Sequence, residues 1–364
     1  ALIGVQYVAS FGLIIGATFM YLQNYYMQNT PLGYDKDEII ITNMNNNIRK
    51  SRDAFASQVK SFSGIEEVTY AEMLLSSQDQ YMGWGRKYRD KDIQFQCLPV
   101  EPSFLKVMNV KISEGRDFRE EDKAKRYGTF VFNERARTEY GLEIGSLIDS
   151  MEIVGFMPDV KFASFRTEVT PMAFFVWGTN NWGNQPNYAY IKVKAGSDLR
   201  GAMQHVKTTL QSFDPEYPFN VRFFDEVLNG LYEKERSLSS LITLFSLIAI
   251  FISVVGVFGL VVFDSEYRKK EIGIRKVLGS TTEEIIVMFN KTYIRILCVC
   301  FVLGAPIAGY VVHRWLENFA YKTPMYWWVY LIAFAIIAVI TILTVTFQNW
   351  RAANENPVHS IKNE

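Results

Sequence analysis

The chain has 364 residues, balances 38 Lys and Arg against 38 Asp and Glu, and is 49% hydrophobic. A formal net charge of zero argues against a nucleic-acid partner, because such binders carry a basic excess. The charges are also segregated. Residues 35–236 hold 27 of the 38 basic and 30 of the 38 acidic side chains, while 1–34, 237–263, 296–312 and 323–350 hold none, which excludes an all-soluble protein.

Residues 1–30 are the first predicted transmembrane helix. Gly12 and Gly16 form a GxxxG pattern, which lets another helix approach closely, either within the chain or in a second copy. Tyr21, Tyr25 and Tyr26 end the span as interfacial aromatics. The chain starts at Ala1 inside an apolar run with no basic flank, so it reads as a piece of a longer chain rather than one opening on a signal peptide.

Residues 31–224 read as an inserted α+β domain with a core of its own. Strands are predicted near 38–42, 93–100, 129–132, 152–156, 172–177 and 188–193. A helix over 49–62 carries Phe55, Val59 and Phe62 on one side. A second, over 199–213, buries Met203, Val206 and Leu210 and is stopped by Pro215 and Pro218. The Asn- and Gly-rich segment 178–187 is a turn or hairpin tip.

Residues 225–263 form a stalk and the second span. As one helix it would be on the order of 58 Å long, against a hydrocarbon core of about 30 Å. Ser253, Gly256 and Gly259 are small residues suited to helix packing. A linker over 264–282 follows, then the third span at 283–312, interrupted by Gly304, Pro306 and Gly309. A short loop at 313–324 leads to the fourth span, 325–350, and a tail, 351–364. Residues 264–295 carry seven basic side chains, whereas 313–322 carry Arg314 and Lys322. The positive-inside rule therefore puts the linker and tail in the cytoplasm, and the insertion on the periplasmic side. The fold class is a multi-pass α-helical membrane protein with four transmembrane helices and an inserted α+β periplasmic domain.

Enzyme chemistry is not expected. No Gly-Lys dipeptide exists to build a P-loop, and His205, His313 and His359 lie in three different regions, so neither a catalytic nor a metal site is assigned. Cys97, Cys298 and Cys300 form no disulfide framework. The mechanism-bearing segment is the linker. Tyr267, Glu271, Ile274 and Leu278 fall at helical spacing, with Arg268, Lys269, Arg275 and Lys276 on other faces. Such a helix lies on lipid headgroups or docks into a groove of a cytoplasmic partner.

The run Arg268-Lys-Lys-Glu-Ile-Gly-Ile-Arg-Lys-Val-Leu-Gly-Ser-Thr281 closely resembles the signature of FtsX-like ABC transporter permeases, the MacB family. Further landmarks run along the chain. They are Gln6, Leu32-Gly33-Tyr34-Asp35-Lys36-Asp37, Gly115-Arg116-Asp117-Phe118, Asn133-Glu134, Ile153-Val154-Gly155, Asp159, Phe162, Pro171, Glu233 to Arg236, Trp315-Leu316, Phe319-Ala320-Tyr321 and the tail from Ala353 to Val358. The resemblance implies a non-catalytic permease subunit working with an ABC ATP-binding subunit, on which ATP and Mg would bind. It also implies a second permease unit, as a homodimer or a tandem eight-span chain. Glu266, Tyr267, Arg268, Lys269, Lys270, Glu271, Ile274, Arg275, Lys276 and Leu278 would be the ATPase-coupling helix. Gly12, Gly16, Ser253, Gly256, Gly259 and Pro306 are the helix-packing candidates.

The leading expectation is export or extraction of antibiotics, peptides or lipoproteins from the periplasmic side. The alternative is an FtsX-type signaller acting on cell-wall enzymes, for which Met82, Trp84 and Trp182 would offer an apolar surface to a periplasmic adaptor or cell-wall enzyme. A receptor without an ATPase trails both, because its cytoplasmic parts are too small for a signalling domain.

Overall fold

The computed structural model describes residues 2–76, 82–161, 165–181, 185–267, 271, 274–275 and 278–353. It divides into two compact units. One comprises Ala1–Asn29 with Lys234–Glu364, and the other is Thr30–Glu233.

The unit Thr30–Glu233 is built on two sheets. The smaller has strand order β11-β1-β10-β2, from β1 (Ile39–Asn43), β2 (Ile65–Ala71), β10 (Tyr188–Val193) and β11 (Arg222–Phe223). The larger runs β3-β4-β9-β6-β8-β5, from β3 (Met82–Tyr88), β4 (Lys91–Pro99), β5 (Glu114–Gly115), β6 (Thr129–Asn133), β8 (Met151–Met157) and β9 (Met172–Val176). The short β7 (Leu147–Ile148) pairs with β8. Pairing is antiparallel except for β4 with β9 and β6 with β8.

Period-two alternation explains the layering. On β1, Ile39 and Ile41 enter the core shared by the two sheets, while Ile40 points to the opposite face. On β9, Met172, Phe174 and Val176 enter that shared core, and Ala173 and Phe175 enter a third cluster with Phe130 and Phe132 of β6. Strands buried on both faces read as continuous apolar runs, as Met172-Ala-Phe-Phe-Val176 does. The outer face of the small sheet is covered by α2 (Asn46–Lys50), α3 (Arg52–Val59) and α6 (Leu199–Phe213). Asp198 caps α6 by accepting from the Arg200 and Gly201 N–H groups at 3.1 and 3.0 Å.

The structure corrects three expectations. The helix over 49–62 is two helices, broken at Ser51 (φ −116°, ψ 32°), where the Ser51 N–H turns back onto Asn47 O and Ile48 O. β9 and β10 belong to different sheets, so segment 178–187 closes no hairpin between them. The helix over 225–263 is also interrupted. A short α7 (Phe224–Gly230) ends in two i→i+3 bonds, and α8 (Glu233–Tyr267) begins after them. Glycine is a poor helix former, and Tyr232 is held by a tertiary contact: its Oη accepts the Phe165 N–H at 3.1 Å.

Among the described residues, the membrane unit has four helices long and apolar enough to cross a bilayer: α1 (Leu2–Asn29), α8, α9 (Thr282–Leu316) and α10 (Trp328–Ala353). Buried residues recur at helical spacing, as Tyr7, Phe11, Ile14, Ile15 and Phe19 on α1, and as Val329, Ala333, Ile337, Thr341 and Val345 on α10. Phe11, Phe301 and Phe334 meet at ring-centroid distances of 5.1–6.3 Å, joining α1, α9 and α10. Thr281 and Glu284 form a reciprocal capping box that starts α9.

Candidate functional site

The predicted coupling segment lies between α8 and α9. Glu266 and Tyr267 are the last residues of α8. Glu271, Ile274 and Arg275 are helical, and Leu278 sits in the turn that follows. Arg268, Lys269, Lys270 and Lys276 lie outside the described residues. Arg275 pairs with Glu271 at 2.9 Å, an i,i+4 ion pair along the helix. Gly279, at φ +96°, ends the segment, and the Ser280 N–H closes onto Arg275 O at 2.9 Å.

Tyr267, Ile274 and Leu278 are 81%, 58% and 80% exposed. Tyr267 closes α8, Ile274 is helical and Leu278 lies in the turn before α9, so all three exposed apolar side chains fall within the short connection between two membrane helices. Covering such side chains fully would contribute about 1.5–3 kcal/mol each. The segment thus sets exposed apolar side chains beside the Glu271–Arg275 ion pair.

The helix-packing candidates separate. Ser253 Oγ meets Ser10 Oγ at 2.8 Å, tying α8 to α1. A Cβ on Gly256 would lie 2.5 Å from Gln6 Oε1, so glycine is what admits that amide. Gly12, Gly16 and Gly259 have nothing within 4 Å of an added Cβ, so no close intrachain helix approach occurs there. Pro306 lies inside α9, which remains helical through it.

The sequence reading missed several polar ties. Gln23 is fully buried; its Nε2 donates to Tyr321 O at 3.0 Å, and its Oε1 accepts the Thr323 N–H at 2.8 Å. Tyr7 Oη and Thr341 Oγ1 lie 3.1 Å apart, and Asn290 Nδ2 donates to Thr346 Oγ1 at 2.9 Å. A polar residue inside a charge-free run was the available signal, since such groups seek partners across helices.

In the unit Thr30–Glu233, the landmark motifs serve architecture. Arg116 grips the fully buried Asp122 in a fork of 2.7 and 2.8 Å, and the Arg119 N–H donates to the same carboxylate at 2.8 Å. Burial works to raise the Asp122 pKa, but these bonds outweigh it and hold the carboxyl below its ordinary value. Gly155 lies against this turn: a Cβ there would sit 2.4 Å from Arg116 O. Asn133 Oδ1 accepts from Ala136 N and Met172 N at 3.1 and 2.9 Å, and its Nδ2 donates to Thr170 O at 3.0 Å. One amide thus caps α5 (Glu134–Tyr140) and fixes the entry to β9. Asp159 Oδ1 accepts the Arg135 N–H at 2.8 Å.

Trp84 is packed against Phe175 and Trp177 at 4.9 and 6.1 Å, with the Arg86 guanidinium 4.4 Å over its ring. It is half-buried core edge rather than an open apolar patch, and Met82 packs against the same cluster. Trp182 and Phe162 lie outside the described residues. Cys97 is buried, and burial pushes its thiol pKa well up, which makes it inert in the closed structure.

Comparison with known proteins assigns both units, with the first match beginning inside α1. Residues 3–209 match the family model of the MacB-like periplasmic core domain, and residues 243–357 match that of the FtsX-like permease C-terminal region. The macrolide export ATP-binding/permease protein MacB of Chromobacterium violaceum is 23% identical over 230 residues, covering 60% of this chain and 35% of the relative. The protein of the same name from Escherichia coli K12 is 23% identical over 233 residues, with the same coverage. The chain thus spans about a third of the length of these curated relatives. Among solved structures, the periplasmic region of MacB from Actinobacillus actinomycetemcomitans aligns with a TM-score of 0.40 at 14% identity, over 55% of this chain and 94% of that one. The extracellular domain of the noncanonic ABC-type transporter YknZ from Gram-positive bacteria aligns at 0.37 and 11% identity, over 50% and 99%. The first family model alone covers more than half of the sequence, and the chain belongs to the FtsX-like, MacB-type family of ABC transporter permeases.

Proposed function

We propose that the chain is the membrane half of an export or extraction machine, relaying ATP hydrolysis in an ABC ATP-binding subunit to the unit Thr30–Glu233. In this reading ATP and Mg bind on that subunit. The segment 264–282 docks on it, and the chain lies in the cytoplasmic membrane with its large unit periplasmic and both ends cytoplasmic. The observation that carries the reading is the set of exposed apolar side chains Tyr267, Ile274 and Leu278, placed between two membrane helices inside the matched permease region.

A second permease unit completes the assembly. Outward-facing Leu241, Leu244, Phe245, Ile248, Phe251 and Val255 on α8 supply an apolar face for it or for lipid, and Gly12 and Gly16 on α1 remain open to close approach. The substrate class is that of periplasmic antibiotics, peptides or lipoproteins. Regulation of periplasmic cell-wall enzymes is the competing role; of the residues considered for its surface, Trp84 is packed against Phe175 and Met82 against the same cluster, and Trp182 lies outside the described residues.

The test is affinity purification of the full-length protein from mild detergent, with mass spectrometry and an ATPase assay. An ATP-binding subunit should co-purify, and Arg268→Glu with Lys269→Glu, or Arg275→Glu, should release it. Retention of the subunit and of its stimulated ATPase by all of these variants would refute the coupling assignment.

A further inference from the structure

The unit Thr30–Glu233 contains a cleft of about 430 Å³ that none of the features above uses. That volume falls in the range of sites for small organic ligands. One wall is cationic, with Arg49 and Lys50 at the end of α2 and Arg52 at the start of α3. Tyr70 at the end of β2 and Trp177 just after β9 add aromatic surface, with the Tyr70 hydroxyl donating to Arg52 O at 3.0 Å and the Arg52 guanidinium 5.8 Å from its ring centre. Glu72, Glu101 and Lys123 also line it.

These charges are not evenly matched. Glu101 is taken, accepting from Arg52 Nη1 at 2.6 Å and from Lys123 Nζ at 2.8 Å. Glu72 faces Trp177, whose Nε1 reaches Oε2 at 3.5 Å, and burial pushes this carboxyl up, towards its neutral form. Arg49 donates to neutral acceptors: Asn46 Oδ1 at 3.0 Å, Met44 O at 3.2 Å and Asn187 Oδ1 at 2.6 Å. Those bonds orient the guanidinium without cancelling its charge. Among the described residues, no carboxylate forms an ion pair with Arg49 or Lys50.

Asn187 makes this arrangement rigid. Besides holding Arg49, it donates from Nδ2 to Glu72 O at 2.8 Å and from its backbone N–H to Ala71 O at 3.0 Å. The cation is thus locked to the strand that carries Tyr70, and a ligand bears little of the ordering cost. An uncompensated, pre-oriented guanidinium in a recess attracts oxyanions more strongly than an exposed one does. Flat aromatic walls beside it favour a ligand with an apolar body.

We propose that this cleft binds a small amphipathic organic anion, with its carboxylate or phosphate against Arg49 and Lys50 and its apolar body against Tyr70 and Trp177. The proposal is independent of the coupling assignment, because every residue it uses lies in the unit Thr30–Glu233.

The test is titration calorimetry on the full chain in detergent, with 1-naphthoate, phenyl phosphate and the uncharged 1-naphthamide as probes. At least one of the two acids should bind saturably, and which one does so identifies the preferred head group. The amide should show no saturable heat. Arg49→Gln should weaken acid binding about tenfold or more, as expected for a charge-assisted contact. Lys50→Gln should weaken it several-fold; its side chain is exposed and supports no fold contact, so this variant reads the charge alone on a folded chain. No saturable binding of either acid, equal binding of acid and amide, or unchanged affinity in both variants would overturn the proposal.

Discussion

Replacing Asp122 by Asn tests whether the Arg116 turn is a structural lock. The carboxylate has no exposed surface and accepts from two guanidinium nitrogens, the Arg119 N–H and, at 3.3 Å, Lys125 Nζ. Breaking a buried ion pair from one side costs about 3–5 kcal/mol. The Arg116 side chain stays 27% exposed and can regain water, so the lower end, about 3 kcal/mol, is expected. That corresponds to about a 150-fold larger population of the opened unit. Cys97 reports on it directly, being fully buried and unreactive while the unit is closed. With Cys298 and Cys300 replaced by Ser, maleimide labelling of the full chain in detergent at neutral pH follows the opened fraction. Asp122→Asn should accelerate labelling about 150-fold, whereas Glu121→Gln, which removes an exposed pair with Arg119, should change it by less than about threefold. A rate for Asp122→Asn within threefold of the parent would refute the lock. The pH dependence has a fixed sign. A carboxyl held below its unfolded value stabilises the fold above about pH 4, and that stabilisation is lost as pH falls through the lower folded value. The gap between parent and variant should therefore stay constant from neutral pH down to about pH 5 and close only in stronger acid.

Two predictions concern the membrane unit. Gly256→Ala places a methyl 2.5 Å from Gln6 Oε1 and should cost about 1–3 kcal/mol, read as a lower Tm in detergent. Adding Gln6→Ala should restore part of it, and a double variant no more stable than Gly256→Ala would show that the amide is not the obstacle. Gln23→Ala removes both bonds to the loop before α10 and leaves the Thr323 N–H unpaired, at about 1–3 kcal/mol. Hydrogen exchange at Thr323 should accelerate about tenfold or more; unchanged protection would refute the clamp.

The membrane spans were legible because lipid solvent excludes charge over about 20 residues, and that constraint is written directly into the sequence. The double-faced strands β6, β8 and β9 were legible as apolar runs, and α6 as an apolar stripe between Asp198 and Pro215. Strand β3 was not, because Gly83 and Gly85 weaken the strand pattern and its place is set by pairing with β4. The breaks at Ser51 and Leu231 were hidden for a related reason. At Leu231 a tertiary bond, Tyr232 to Phe165, accompanies the break, and at Ser51 the chain turns back on Asn47 O and Ile48 O; neither interrupts the helical periodicity of the sequence. The connection between α8 and α9 was legible as a charged break between two apolar runs. The cleft was not, because Arg49, Tyr70 and Trp177 come together only when the two sheets stack.

The alternation of β6, β8 and β9 has a mechanical consequence. Each strand sends neighbouring side chains into different clusters, so Val131 sits in one while Phe130 and Phe132 sit in another. Neither cluster can loosen without disturbing the strands that define the other, and the two should melt as a single cooperative block. A load applied to such a block is carried as displacement of the whole, with little lost to internal creep between its layers. In the relay role proposed above, that stiffness would keep a stroke delivered at one end undiminished at the other.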